Sequence, residues 1–204
     1  MKFFSGLIKG ALAGVLIISA AFCGKNVANY PLVQALEHAY TSPNKPFSGT
    51  NHVPDDSVEA MENLEHGTIV RVVDGDTLVV SVINGDDAGI RVRLIGVDTP
   101  ESVNPDAAKN TDDGKVASNF TKSLLPKGTD VWLEYDVSAK DKYDRYLAYV
   151  YFMDEKGNPV MLNRYLLQEG MAQTMTVPPN VKYRDVFAED YHTARENGVG
   201  LWAE

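Results

Sequence analysis

The chain has 204 residues, with 28 acidic and 19 basic side chains, a net charge of −9 and 44% hydrophobic content. That is enough for one well-buried core with a tail and too little for several domains. The negative balance excludes a protein that grips nucleic acid by bulk positive charge, so any anionic ligand must be held by local cations. The single cysteine, Cys23, excludes an intrachain disulfide and, beyond residue 23, a thiolate metal site or a cysteine nucleophile.

The N-terminus places Lys2 and Lys9 ahead of an uncharged, mostly apolar run over 10–24, the pattern of an export signal or membrane anchor at 1–24. Ser19, Ala20 and Ala21 offer small residues for cleavage before Phe22, and Cys23 offers a lipidation site that Phe22 disfavours. Residues 25–63 carry Pro31, Pro43, Pro46 and Pro54 among Ser, Asn and Thr, and then the acidic run Asp55, Asp56, Glu59 and Glu62. This composition predicts a linker or stalk, with room for a short helix at 33–40.

The folded domain is expected over 64–204. Runs rich in β-branched residues predict strands at 68–73, 77–83 and 90–97, with NGDD at 84–87 as a hairpin turn. VWLEY at 131–135 and LAYVYF at 147–152 supply two more strands, and EKGN at 155–158 a turn. Three helical periodicities follow: Val116, Phe120 and Leu124; Leu162, Tyr165 and Leu166 before Gly170; and Tyr183, Phe187, Tyr191 and Ala194 before Gly198. Five strands with a helix between the third and fourth give the order of an OB barrel, an α+β fold that is mainly β.

Three segments carry candidate chemistry. DGDT at 74–77 reads alone as a tight turn, RLIGVDTPE at 93–101 as a strand ending in solvated carboxylates, and DKYDRYLAYV at 141–150 as a charged turn before a strand. Together they say more. Asp76 and Asp98 are hard oxygen donors suited to Ca²⁺ or a similar cation, with Glu101 beside them. Arg93 and Arg145 can each offer a planar fork of donors to a phosphate. A cation, a carboxylate and two guanidiniums meet the needs of phosphodiester hydrolysis: neutralise charge, activate water and stabilise the pentacoordinate transition state.

DGDT, RLIGVDTPE, DKYDRYLAYVY and the closing AREN and GLW, in that order, resemble the staphylococcal nuclease (thermonuclease) family over about 67–202. The resemblance implies an OB-fold barrel with three helices and Ca²⁺-dependent cleavage of DNA and RNA, as single or frayed strands, at the 5′ oxygen–phosphorus bond to leave 3′-phosphate ends. It further implies that Asp76 and Asp98 hold calcium through carboxylates and Thr99 through its carbonyl, that Glu101 orients or deprotonates water, and that Arg93 and Arg145 bind the scissile phosphate. By the same resemblance Tyr143 and Lys142 line the nucleotide site, residues 103–114 form a mobile loop beside it, and Lys109 touches the substrate backbone. No obligate protein partner is implied, and with the N-terminal signal the enzyme is expected to be secreted or tethered to the membrane facing outward.

The chain also departs from the family. QTMTVPPN at 173–180 has no tyrosine where the best-known member places two under the nucleotide base, so binding of the base should be weak. The loop at 103–114 carries Asp106, Asp112 and Asp113, and from residue 65 onward 15 basic residues face 23 acidic ones, a net charge of −8. The alternative readings are a catalytically inactive OB module that binds single-stranded nucleic acid or a protein, and a surface protein whose carboxylates bind metal only for stability. Loss of Glu101 or Arg145 would favour the inactive module, and the stability role leaves both arginines unexplained.

Overall fold

A computed structural model describes residues 61–82, 88–103 and 105–203. The segment 1–24, most of 25–63 with its helix at 33–40, and the turn at 84–87 lie outside the described residues. Among those described, no helix is long and apolar enough to cross a membrane.

Among the described residues eight strands and three α-helices follow in order: β1 (Glu65–Asp74), β2 (Thr77–Val82), β3 (Ile90–Leu94), β4 (Gly96–Asp98), α1 (Asp112–Leu124), β5 (Asp130–Glu134), β6 (Tyr146–Met153), β7 (Pro159–Met161), α2 (Leu162–Gln168), β8 (Gln173–Met175) and α3 (Arg184–Glu196). The main sheet runs β3-β2-β1-β5-β6-β7, and a second pairing of β3 with β6 closes five of these strands into a barrel. The closing pair is parallel and all the others antiparallel. Two register shifts in β1 opposite β2 add the coil that closure needs. This is the expected OB-type barrel with three helices.

Alternation along the strands sends Ile69, Leu78, Val80, Val92, Leu94, Val131, Leu133, Ala148 and Val150 into the core, each no more than 2% exposed. Phe120 of α1 and Leu162 and Leu166 of α2 are equally buried. The helices are joined to one another by charge: Arg164 of α2 holds Asp190 of α3 through two bonds of 2.8 and 3.1 Å, and Gln168 adds a third at 3.0 Å. Asp190 is 1% exposed and Arg164 8%. Asp190→Ala leaves a guanidinium buried without its carboxylate, so we expect it to cost about 3–5 kcal/mol. Urea unfolding of the purified protein should show a lower midpoint with an unchanged slope.

The sequence predicts one strand over 90–97, and the structure divides it. Ile95 leaves the ladder: its N–H donates to Ala148 O at 3.0 Å, and its carbonyl accepts from Asn163 Nδ2 at 2.8 Å. Gly96 then turns the chain at φ +78°, where a Cβ would stand 2.6 Å from the Phe187 ring. Asn163 is fully buried and also accepts from Val150 N at 2.9 Å. One amide side chain thus fixes the kink that redirects Val97 and Asp98 onto β8.

Candidate active site

The barrel's register brings the three segments together. Thr77 of β2 pairs with Arg93 of β3, and Arg93 pairs on its other side with Leu147 of β6. The turn before β2, the end of β3 and the turn before β6 are therefore neighbours, although Asp76 in the first and Arg145 in the last are 69 residues apart in the chain. They line a cleft of about 1030 Å³ that contains Asp76, Arg93, Asp98, Glu101, Lys142, Tyr143 and Arg145.

Asp76 is 6% exposed. Its Oδ2 accepts from Thr99 N at 2.9 Å and Thr99 Oγ1 at 3.0 Å, and its Oδ1 accepts from Thr77 Oγ1 at 3.1 Å. Arg93 Nη2 lies 3.2 Å from Asp76 Oδ2 and 2.8 Å from Asp98 Oδ1, so two carboxylates converge on one nitrogen. Burial pushes the Asp76 carboxyl above its ordinary value; Arg93 and the Thr99 donors pull against that shift, and the Asp98 charge adds to it. Arg93 is tied further by Nη1, which donates to Leu94 O at 3.0 Å and Val97 O at 2.7 Å.

Glu101 differs from these. It is exposed to the cleft, and its carboxylate makes no hydrogen bond or ion pair among the described residues. Its backbone is fixed on both sides. Its carbonyl accepts from Thr111 N at 2.9 Å, and the next residue, Ser102, gives its hydroxyl to Asp74 Oδ1 at 2.6 Å.

Arg145 is oriented by Asp141, whose Oδ2 lies 2.7 Å from both Nε and Nη2. Partial burial works against charge on Asp141, but this guanidinium and the N–H groups of Arg145 and Tyr143 hold its carboxyl below the ordinary value. Asp144 at φ +62° closes the turn. Tyr143 is 68% exposed, with the Arg145 guanidinium 5.5 Å and Lys142 Nζ 5.0 Å from its ring centre. It is the one aromatic ring lining the cleft among the described residues. Met175, Val177 and Pro178 of the tyrosine-free segment line it too, and β8 holds that segment against β4.

Lys109 does not line the cleft. It ends a short 3₁₀ turn, Ala107–Lys109, with Nζ 3.8 Å from Asp106 Oδ2. The loop expected over 103–114 is also shorter than that, because α1 begins at Asp112. Thr111 caps the helix by accepting from Gly114 N, and Asp112 and Asp113 occupy its first turn. Acidic residues there complement the helix dipole rather than simply opposing an approaching anion.

The structure adds residues that the motifs alone do not single out. Asp74, Ser102 and Asp141 anchor the loops that carry Glu101 and Arg145. Thr121 of α1 donates to Gly75 O at 2.9 Å and ties the helix to the turn bearing Asp76. Asp74 stands within DGDT, but its partner lies 28 residues away.

Among the described residues, no group of three or more His, Cys, Asp or Glu is arranged around a metal. The two carboxylates that meet at Arg93 are hard donors all the same, and they fit a divalent cation that completes its shell with carbonyls and water. In class, then, this is an OB-fold protein that gathers hard oxygen donors and planar cations in one cleft, as an enzyme acting on anionic esters does.

The comparison with known proteins is specific. The family described as "Staphylococcal nuclease homologue" matches residues 91–204. The Thermonuclease of Staphylococcus intermedius is 44% identical over 134 residues, 66% of this chain and 74% of that protein. The Thermonuclease of Staphylococcus hyicus is 38% identical, again over 66% of this chain and 74% of the relative. Endonuclease YncB of Bacillus subtilis is 33% identical over 95% of this chain and 90% of its own length. The chain belongs to the staphylococcal nuclease family, which makes it by class a phosphodiester-hydrolysing nuclease.

Proposed function

We propose that the protein is an exported, calcium-dependent endonuclease that hydrolyses DNA and RNA at the 5′ oxygen–phosphorus bond and leaves 3′-phosphate ends. The observation that carries this reading is the convergence of Asp76 and Asp98 on Arg93 in a cleft that also presents an unpaired Glu101 and the oriented Arg145. Its export half rests on Lys2, Lys9 and the apolar run that follows.

Asp76, Asp98 and the Thr99 carbonyl would hold the cation. A calcium ion bound there would neutralise phosphate charge and polarise a phosphoryl oxygen. Glu101 accepts a proton from the water whose oxygen bonds to phosphorus as the bond to the 5′ oxygen breaks. Arg145, held in plane by Asp141, donates to the phosphate on the side of the leaving oxygen. Arg93 donates to the remaining phosphate oxygens, its plane set by the Leu94 and Val97 carbonyls. Tyr143 and Lys142 flank the nucleotide, while Lys109, outside the cleft, meets the strand further along.

The test is incubation of the purified protein with single-stranded DNA, duplex DNA and RNA, in calcium or in EGTA, followed by analysis of the product ends. We expect cleavage with calcium, none in EGTA, and 3′-phosphate with 5′-hydroxyl termini. Full turnover in EGTA, or rescue by zinc alone, overturns the cation assignment, and 5′-phosphate ends overturn the bond assignment. Retention of oligonucleotide without cleavage under any cation favours a binding module.

A further inference from the structure

Arg91 is a guanidinium in the cleft that the reaction above leaves unused. It lies two residues before Arg93 on β3. Val92 and Leu94 enter the core at 0% and 2% exposure, so Arg91 and Arg93 share the opposite face of the strand. Their Cα atoms are therefore separated by about 6.6 Å along the strand. The phosphate-to-phosphate step of an extended nucleic-acid strand is of that order.

Most of the cleft's cations are committed. Arg93 is bound to Asp98 and Asp76, Arg145 to Asp141, and Lys140 to Asp144 at 2.8 Å. Arg91 is exposed, lines the same cleft, and makes no ion pair or side-chain hydrogen bond among the described residues. No contact among the described residues gives this side chain a part in fold stability. Within the cleft of a domain whose net charge is −8, it is a local attractor for an anion.

We propose that Arg91 binds the backbone phosphate next to the scissile one, so that the enzyme takes a strand with at least two phosphates in preference to an isolated phosphodiester. The inference rests on the phosphodiesterase reading above and assigns the extended strand as its preferred substrate. Arg93 keeps the reacting phosphate, and Arg91 contributes affinity without taking part in the chemistry.

The test compares the full-length wild type with Arg91→Gln and Arg91→Lys on two substrates: a short oligothymidylate, and the dinucleoside monophosphate TpT, whose only phosphate is the scissile one. We expect Arg91→Gln to raise KM for the oligonucleotide roughly three- to tenfold, as for loss of one solvent-exposed hydrogen-bonded contact, with kcat unchanged and both constants for TpT unchanged. Binding of labelled oligothymidylate in EGTA, measured by anisotropy across a salt series, should show the slope of log K against log salt reduced by about 0.7 in Arg91→Gln and retained in Arg91→Lys. Equal kinetics and equal salt slopes for wild type and Arg91→Gln overturn the proposal, as does an equal loss on TpT and oligonucleotide. The binding arm separates the two readings: no hydrolysis by wild type with a reduced slope in Arg91→Gln overturns the nuclease and supports the phosphate contact. Cleavage by wild type without any effect of Arg91 overturns the contact alone.

Discussion

Glu101→Gln is expected to lower kcat about 10²–10⁴-fold, the range for loss of a positioned base, while calcium affinity stays within about twofold of wild type. Gln is nearly isosteric and keeps the backbone contacts to Thr111, so the loop that carries it should hold its place. What it loses is the ability to accept a proton from water. The structure sharpens this expectation because, among the described residues, the Glu101 carboxylate has no hydrogen-bond or ion-pair partner, whereas Asp76 is buried among Thr99, Thr77 and Arg93, and Asp98 is bound to Arg93. A base must have a lone pair facing the reactants, and those two are engaged with neighbours and assigned to the cation. Steady-state rates at saturating calcium, with calorimetry of calcium binding, give both quantities. If Glu101→Gln retains more than half of wild-type kcat, Glu101 is structural.

Much of this arrangement is legible in the sequence. β-branched runs mark the barrel strands, and apolar periodicity marks α1, α2 and α3. Gly170 and Gly198 stop the second and third helices with φ of +64° and +61°, the left-handed conformation that favours glycine there. The motifs also place Asp76, Arg93, Asp98, Glu101 and Arg145 in segments that the barrel brings to one cleft.

Closures between a side chain and a distant backbone are harder to read. The break at Ile95 depends on Asn163, 68 residues on, and on the Phe187 ring against Gly96. Gly96 alone hints at a bend, but Ile95 and Val97 on either side of it suit a continuous strand, and nothing local to residues 90–97 shows what fixes the break. The pairing of β8 with β4 is missed for the same reason: three residues are too few for a periodic signal. Asp112 and Asp113 mislead in the other direction. Their charges look like a defect in a loop that serves a polyanion, until the helix that starts there supplies a dipole for them to complement.

The same helix makes Gly114→Ala the more informative substitution, since it removes no chemical group from the cleft. Gly114 lies in the first turn of α1, where a Cβ would stand 2.0 Å from the Glu101 carbonyl oxygen, 2.5 Å from its carbon and 2.9 Å from Pro100 O. All three atoms are backbone, so no rotamer change relieves the clash. Either α1 retreats or the Pro100–Glu101 segment does, and the Thr111 N–H that binds the Glu101 carbonyl is carried along in both cases. A displacement of about 1 Å at a catalytic group costs on the order of 10²-fold in rate, and forcing a methyl into a packed contact costs about 1–3 kcal/mol in stability. We therefore expect kcat to fall about 10²-fold and the urea midpoint to drop. Calcium affinity should fall less than kcat, because the Asp76 carboxylate is held directly by Thr99 and Thr77 and α1 reaches only the neighbouring Gly75 carbonyl, through Thr121. Asn119→Gly, which lowers helix propensity at an exposed position of the same helix, should leave kcat unchanged and so separate a general loss of helix stability from movement of Glu101. A Gly114→Ala enzyme that is destabilised but turns over within threefold of wild type would show that the closeness of α1 to Glu101 is packing alone.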